Sequence, residues 1–165
     1  LNSYTGKAAD CKVKVEWNSV NPSQLDENLR KALEEKIGGT LLGSTSSTRK
    51  LTTLDVSGRK IKSLKYLDAF CPLLNTLKVD NNKLSELDLS GFNTKNVTNM
   101  SSMFRRCENL KALDLSNFNT SAVTNMNYMF HNCSRLTNLD VSSFNTSLVE
   151  NMGYMFNNCR GLNYI

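Results

Sequence analysis

The chain has 165 residues, of which 39% are hydrophobic and 21% are charged, with a formal net charge of +5. This composition supports one packed domain or a short repeat array and excludes a largely disordered chain. No apolar run approaches the length of a membrane helix and no aromatic-basic motif accompanies the positive charge, so neither membrane insertion nor nucleic acid binding is expected.

Residues 1–50 are predicted to form an N-terminal cap, which would cover the first apolar face of a repeat stack. Within it, residues 12–17 alternate apolar and polar side chains, as an edge strand does. Residues 23–37 carry apolar residues at helical spacing and precede two glycines, which predicts a helix that ends there. Residues 40–50 predict a loop. The expected buried stripe of the helix is Leu25, Leu29, Leu33 and Ile37.

Residues 51–83 predict leucine-rich repeats. The segment LNTLKVDNNK within them follows the L-x-x-L-x-V-x-x-N pattern, in which Asn82 is expected to satisfy backbone groups inside a turn. From Leu77 to Leu87 the step is only 10 residues. Either one coil carries a second strand at Leu87–Leu89, or the register changes where two repeat types join, and the sequence leaves both arrangements open.

Residues 84–165 contain three copies of a 26-residue unit and the first residues of a fourth. The copies span 84–109, 110–135 and 136–161, and the same apolar residue types return at the same positions in each copy. Such self-similarity is typical of stacked repeat proteins, in which each unit buries its apolar face against its neighbours. The expected core positions are Leu87, Leu113 and Leu139, Phe104, Phe130 and Phe156, and Cys107, Cys133 and Cys159, with Cys71 at the matching place upstream.

Each 26-residue unit combines two periodicities. Its opening, L-x-x-L-D-L-S, alternates at period two, which predicts a short strand. Its second half places Val97, Met100, Met103, Phe104 and Cys107 at steps of three, three, one and three, which predicts one apolar face of a short helix. The predicted fold is therefore an α/β leucine-rich-repeat solenoid with one short strand and one short helix per repeat, behind an N-terminal strand–helix cap.

The unit LDLSxFNTSxVTNMxxMFxxC resembles the 26-residue repeat of BspA-like bacterial surface proteins. The stretch NPSQLDENLRKALEEKIGG, followed by LTTLDVSGRKIKSLKYL, is similar to the cap and first repeats of internalin-like surface proteins. On this resemblance, the cap over 1–50 is followed by internalin-like repeats over 51–83 and BspA-like repeats over 84–165. The resemblance implies an extracellular module, attached to the bacterial surface or secreted, that binds host or bacterial proteins or glycans in adhesion and has no catalytic activity.

The sequence favours no catalytic residue, cofactor or metal. The one histidine, His131, stands where the copies differ, which indicates an exposed surface side chain. The five cysteines contain no C-x-x-C pair, so a column of buried thiols is favoured over zinc, and a Cys11–Cys71 disulfide stays open. Four carboxylates are expected to form one outward column and to bond neighbouring backbone or serine hydroxyls rather than calcium. These are Asp55, Asp88, Asp114 and Asp140.

Positions that differ between the copies are the candidates for ligand contact, since the fixed positions of stacked repeats form the core and the turns. Tyrosine and arginine are favoured at binding hot spots. The candidate ligand-binding residues are Thr53, Thr76, Lys78, Glu86, Ala112 and Asn138 on the predicted strand face, and Arg105, Tyr128, Arg135 and Tyr154 on the predicted helical side.

Two functions follow from these observations. In the first, the strand face recognises a protein or glycan ligand on a host or bacterial surface. In the second, the array is a structural spacer that projects another domain. Because the repeats stop at the start of a strand with an open apolar face, we expect either that the natural protein continues beyond Ile165 or that a second copy covers this edge by self-association.

Overall fold

The computed structural model describes residues 20–41, 45–82 and 85–163, so the predicted strand over 12–17 lies outside the described residues. The described part is a mixed α/β chain with few regular elements: one 3-10 helix, three short or medium α-helices and two β-strands. Apolar side chains from the cap and from successive repeats pack into one continuous core.

The described part of the cap is built on helix α1, Glu27–Ile37. It begins after Asp26, whose Oδ1 accepts hydrogen bonds from the N–H groups of the second and third helical residues at 2.9 and 3.0 Å. It ends at Gly38, which has a left-handed φ of 69°. The predicted helix over 23–37 therefore starts too early. Its first residues form a separate 3-10 helix, Pro22–Gln24, because Asp26 caps the free amides of α1.

The predicted loop over 40–50 is wrong in part, because it contains helix α2, Thr45–Thr48. The N–H of Leu51 donates to the carbonyl of Thr48 at 3.0 Å, which continues the turn toward the first strand. Thr48 is buried, so this turn is tied to the core. Helix α3, Leu67–Phe70, lies further along, where it buries Leu67 and Phe70 before the second strand begins.

Two parallel strands open the repeats. Strand β1, Thr53–Asp55, pairs with β2, Thr76–Lys78, and Leu54 lies opposite Leu77. The pairing continues from Thr76 through single bridges between successive 26-residue units. We call this run of paired positions the first ladder. It consists of Thr53–Asp55, Thr76–Lys78, Asn99, Asn125 and Asn151.

A second paired position follows on each coil. It is marked by parallel bridges from Ser63 to Asp88 and from Ala112 to Asn138, which we call the second ladder. The coil that begins at β2 therefore carries Leu77 on the first ladder and the Leu87–Leu89 region on the second. This is the first of the two arrangements considered for the 10-residue step.

The predicted short helix in each 26-residue unit is wrong, since residues 85–163 contain no helix. Alternate N–H groups of residues 100–106 donate to the next repeat at 2.8–2.9 Å instead of back along their own chain. Of the intervening N–H groups, those of Met103 and Arg105 close three-residue turns within their own repeat, and that of Ser101 donates to Asn99 Oδ1. Ser102 and Arg106, two of these alternate residues, have left-handed φ values of 57° and 58°, which a right-handed helix does not contain. Because each turn spans three residues, its apolar side chains return at the spacing of a helix.

The interior consists of equivalent apolar side chains stacked from repeat to repeat. Phe130 is fully buried between Phe104 and Phe156, with ring centroids 5.6 Å apart on each side and interplanar angles of 16° and 3°. Leu87, Leu113 and Leu139 are buried, whereas Phe156 and Cys159 are only partly covered. The last repeat is more exposed because no further described repeat packs on its outer side. Its exposed large apolar side chains are Leu148, Met152 and Tyr154.

Buried polar side chains replace backbone pairing in the turns. Asn82 is fully buried, and its Oδ1 accepts from the N–H groups of Lys60 and Ile61 at 2.7 and 3.3 Å. Its Nδ2 donates to the carbonyls of Val79 and Asp80 at 2.5 and 3.4 Å. The prediction that this asparagine satisfies backbone groups inside the turn is therefore confirmed.

Candidate recognition surface

The first ladder brings two tyrosines into register. Tyr128 and Tyr154 occupy equivalent positions in adjacent repeats, and the N–H of Tyr128 donates to the carbonyl of Gly153 at 3.0 Å. Backbones paired in this way lie about 4.8 Å apart. The two rings consequently stack with centroids 5.1 Å apart and an interplanar angle of 4°. Tyr154 is 62% exposed, whereas Tyr128 is half-buried.

Arg105 and His131 complete the group around Tyr128. The Arg105 guanidinium carbon lies over the Tyr128 ring, 5.7 Å from its centroid, within the range of a cation–π interaction. His131 meets the same ring edge-on, with centroids 5.3 Å apart and an interplanar angle of 78°. Arg105 belongs to the repeat before Tyr128, and Tyr154 belongs to the repeat after it. We call these four residues the Arg–Tyr row.

The Arg–Tyr row also contains unsatisfied polar atoms. Among the described residues, the buried side-chain nitrogens and oxygens without a hydrogen-bond partner are Arg105 Nε and His131 Nδ1. Buried polar groups are nearly always hydrogen-bonded, so two such atoms in one surface cluster need an explanation. The prediction that His131 is an exposed surface side chain is wrong, because it is half-buried against Tyr128.

The electrostatics beside the Arg–Tyr row centre on Asp80. Burial raises the pKa of the Asp80 carboxyl above its ordinary value, and the charges of Arg105, Arg106 and Lys78 partly offset that effect. Asp55 acts in the same direction as burial. Three cations therefore surround two carboxylates at this edge of the first ladder, so the local charge is positive.

The structure brings together four of the ten predicted ligand-binding residues. Lys78, Arg105, Tyr128 and Tyr154 follow one side of the repeats. Thr53 and Thr76 lie at the start of the first-ladder strands. The remaining four are exposed and lie on the second ladder or within three residues of it along the chain. These four are Glu86, Ala112, Arg135 and Asn138. The prediction of a single strand face is thus corrected, because each coil has two ladders.

The four predicted carboxylates do not share one column. Asp55 lies on the first ladder opposite Lys78, whereas Asp88 lies on the second ladder opposite Ser63. The expected bonding to neighbouring backbone is confirmed, since each carboxylate accepts from the N–H of the serine two residues later at 2.8–3.0 Å. The hydrogen bonds from Ser90 lower the pKa of Asp88, so its charged carboxylate is stabilised within its own turn. In the ranges that the structure describes, no group of three or more His, Cys, Asp or Glu residues is placed to hold a metal ion.

The repeat cysteines form a column of thiols. Cys71, Cys107, Cys133 and Cys159 are free cysteines, and Cys11 lies outside the described residues. The thiols of Cys107, Cys133 and Cys159 donate to backbone carbonyls of the preceding repeat at 3.6, 3.1 and 2.9 Å. Burial raises the pKa of Cys71 and of Cys107 to about 12, and it raises the pKa of Cys133 and Cys159 as well.

Because the thiolate is the reactive form, a raised thiol pKa together with burial slows alkylation. We expect iodoacetamide at pH 8 to modify half-buried Cys159 in the folded protein well before buried Cys71, Cys107 and Cys133. Peptide mass spectrometry at timed intervals measures the order, and a urea-unfolded sample gives the reference rates. Modification of Cys107 or Cys133 as fast as Cys159 would contradict the buried column.

The stacked 26-residue units and their aromatic surface row define a repeat protein. Residues 74–164, more than half of the chain, match the family model described as "Mycoplasma protein of unknown function, DUF285". The chain therefore belongs to this family. The match agrees with the predicted relationship to BspA-like repeat proteins.

The similarity of the chain to individual proteins is weak. Internalin C2 from Listeria monocytogenes is similar over 84% of this chain and 92% of that chain, at 14% identity and a TM-score of 0.33. A TM-score of that size does not establish a shared fold. No curated protein sequence matches the chain significantly. None of the helices in the described ranges is long and apolar enough to cross a membrane.

Proposed function

We propose that this chain is a non-enzymatic recognition module that binds a protein through the Arg–Tyr row. The observation that carries the proposal is the row itself. It combines two stacked tyrosines, a guanidinium over one ring and two buried polar atoms without partners, all at positions that differ between otherwise similar repeats. Tyrosine and arginine, with tryptophan, are enriched among the few residues that carry most of the binding energy of protein interfaces.

The geometry of the Arg–Tyr row suits binding because its side chains are already held in place. Tyr128 is packed between Arg105, His131 and Tyr154, so little rotamer freedom remains to be lost when a partner docks. Preorganised side chains improve affinity by reducing this entropic cost.

The finer features of the function belong to the same proposal. The stacked repeats form a leucine-rich-repeat solenoid, and the module works outside the cell in adhesion, attached to the surface or secreted. The support for these features is the resemblance to BspA-like surface proteins and the repeat-to-repeat pairing of both ladders. A glycan ligand in place of a protein is an outcome that the binding experiment would reveal.

A structural spacer is the second candidate function. The observation that favours it is the run of backbone hydrogen bonds between successive repeats from Thr52 to Glu150, which would keep an array stiff. A spacer makes no use of the Arg–Tyr row. It therefore has no binding to lose when that row is changed.

Measuring how the fluorescently labelled protein binds to a panel of extracellular-matrix proteins and to epithelial cells distinguishes the two functions. We expect saturable binding that falls at least tenfold in the Tyr128→Ala/Tyr154→Ala variant, since each hot-spot tyrosine contributes about 2 kcal/mol or more. The matched control is Glu86→Ala/Asn138→Ala on the second ladder, which should bind as wild type does. Thermal unfolding establishes that both variants are folded.

Equal binding by the tyrosine variant and by wild type would contradict the assignment to the Arg–Tyr row. Loss of binding in the second-ladder variant alone would move the site to the other ladder. Absence of saturable binding by any of the three proteins would favour the spacer.

A further inference from the structure

Resting on the proposed function, we infer that the partner protein presents an acidic side chain, Asp or Glu, to Arg105. The inference starts from the state of the guanidinium. Arg105 is half-buried, and among the described residues it makes no ion pair within 4.0 Å and no side-chain hydrogen bond. Among the described residues, the guanidinium instead lies within cation–π range of the Tyr128 ring.

The positive charge of the Arg105 guanidinium is incompletely compensated within the described chain. Taking a charge partly out of water is unfavourable unless an opposite charge or hydrogen bonds compensate. The Tyr128 ring supplies a weak attraction, and Asp80, whose pKa responds to Arg105, lies outside ion-pair distance. A carboxylate from a partner would supply the missing compensation.

The unpaired charge of Arg105 favours an anion. Lys78 and Arg106 balance Asp55 and Asp80 at this edge, so the net positive charge that an incoming carboxylate meets is that of Arg105 itself. Such complementarity increases the association rate and disfavours cationic partners. An Asp or Glu side chain therefore fits here better than a Lys or Arg side chain.

The geometry also selects the shape of the acidic group. A guanidinium binds a carboxylate through two parallel N–H···O bonds, and the Tyr128 ring, within the range of a cation–π interaction, helps to hold the Arg105 guanidinium in place. The exposed Tyr154 ring lies one repeat away from the Tyr128 ring that Arg105 covers. A partner segment that carries an acidic residue close to an apolar or aromatic residue would engage Arg105 and Tyr154 together.

Selection of a random 12-residue peptide phage library on the immobilised chain tests this inference. We expect the enriched peptides to contain Asp or Glu near an apolar or aromatic residue. The Arg105→Gln variant should bind the enriched peptide at least tenfold more weakly, and Arg105→Lys, which keeps the charge but loses the fork, should fall between it and wild type. The matched control, Arg160→Gln, makes the same charge change at an exposed arginine outside the Arg–Tyr row and should leave affinity unchanged.

The outcomes separate this inference from the proposed function. Enriched peptides without acidic residues whose binding still depends on Tyr154 would overturn the acidic partner and leave the proposed function standing. Acidic peptides that bind wild type and Arg105→Gln equally would also overturn it. Binding of hyaluronan, a carboxylate-bearing glycan, with no peptide enriched would overturn both the acidic peptide and the protein ligand.

Discussion

Replacing Phe130 with alanine should lower the free energy of unfolding by about 3–5 kcal/mol, the range for truncating a fully buried phenylalanine. Its ring is fully buried and stacks on Phe104 and Phe156 at 5.6 Å on both sides, so neither neighbour can fill the space without leaving its own repeat position. Urea unfolding followed by circular dichroism measures the change from the transition midpoint and slope.

The control for Phe130→Ala is Phe156→Ala, the same change one repeat later. Phe156 is only partly buried, so its truncation leaves a smaller cavity and should cost clearly less. Stability of Phe130→Ala within about 0.5 kcal/mol of wild type would contradict the stacked core, since that is the effect of an ordinary surface substitution.

Replacing Asn82 with alanine should cost about 3 kcal/mol or more of stability. The side chain is fully buried and serves two backbone N–H groups and two carbonyls, and each buried group left unsatisfied costs roughly 1–3 kcal/mol. Water that enters the turn would reduce the sum. The same urea experiment measures the loss.

Two companion variants make the Asn82 result specific. Asn82→Asp keeps the oxygen that accepts from Lys60 and Ile61 but loses the donor to Val79, so it should also be less stable than wild type. Asn138→Ala removes an exposed asparagine on the second ladder and should stay close to wild type. If Asn82→Ala matched Asn138→Ala, the buried turn network would be wrong.

The repeats and the helix of the cap could be predicted because they depend on local patterns. The 26-residue period is visible directly in the amino-acid sequence, and the helical spacing of apolar residues from Leu25 to Ile37 is a strong signal of a helix. The exact start of α1 was missed because the Asp26 side-chain hydrogen bonds that begin it depend on three-dimensional geometry.

The second half of each repeat was misassigned for a physical reason. Successive three-residue turns and an α-helix place apolar residues at nearly the same spacing, so Val97 to Cys107 fits both. The deciding factor is the neighbouring repeat, whose carbonyls accept alternate N–H groups of residues 100–106. A left-handed φ at Ser102 or Tyr128 has no glycine to signal it in the sequence.

The candidate site was predicted in part. Tyr128 and Tyr154 differ from Ser102 at the equivalent position, and Arg105 differs from its equivalents in the later copies, so the sequence marks all three as candidates for ligand contact. The half-buried state of His131 was missed, because it depends on contact with a ring that only the parallel register brings close. In the sequence, the signal for this site is the difference in residue type between the copies at these positions.

The most direct test of specific recognition is the binding of the labelled wild-type chain to matrix proteins and epithelial cells across a salt series. Residues 1–83 carry 14 Lys and Arg against 9 Asp and Glu, so nonspecific attraction is the competing explanation. Salt at about 0.5 M screens exposed charges beyond roughly 5 Å. Recognition through the Arg–Tyr row predicts saturable binding that persists at that salt, and complete loss of binding there would contradict it.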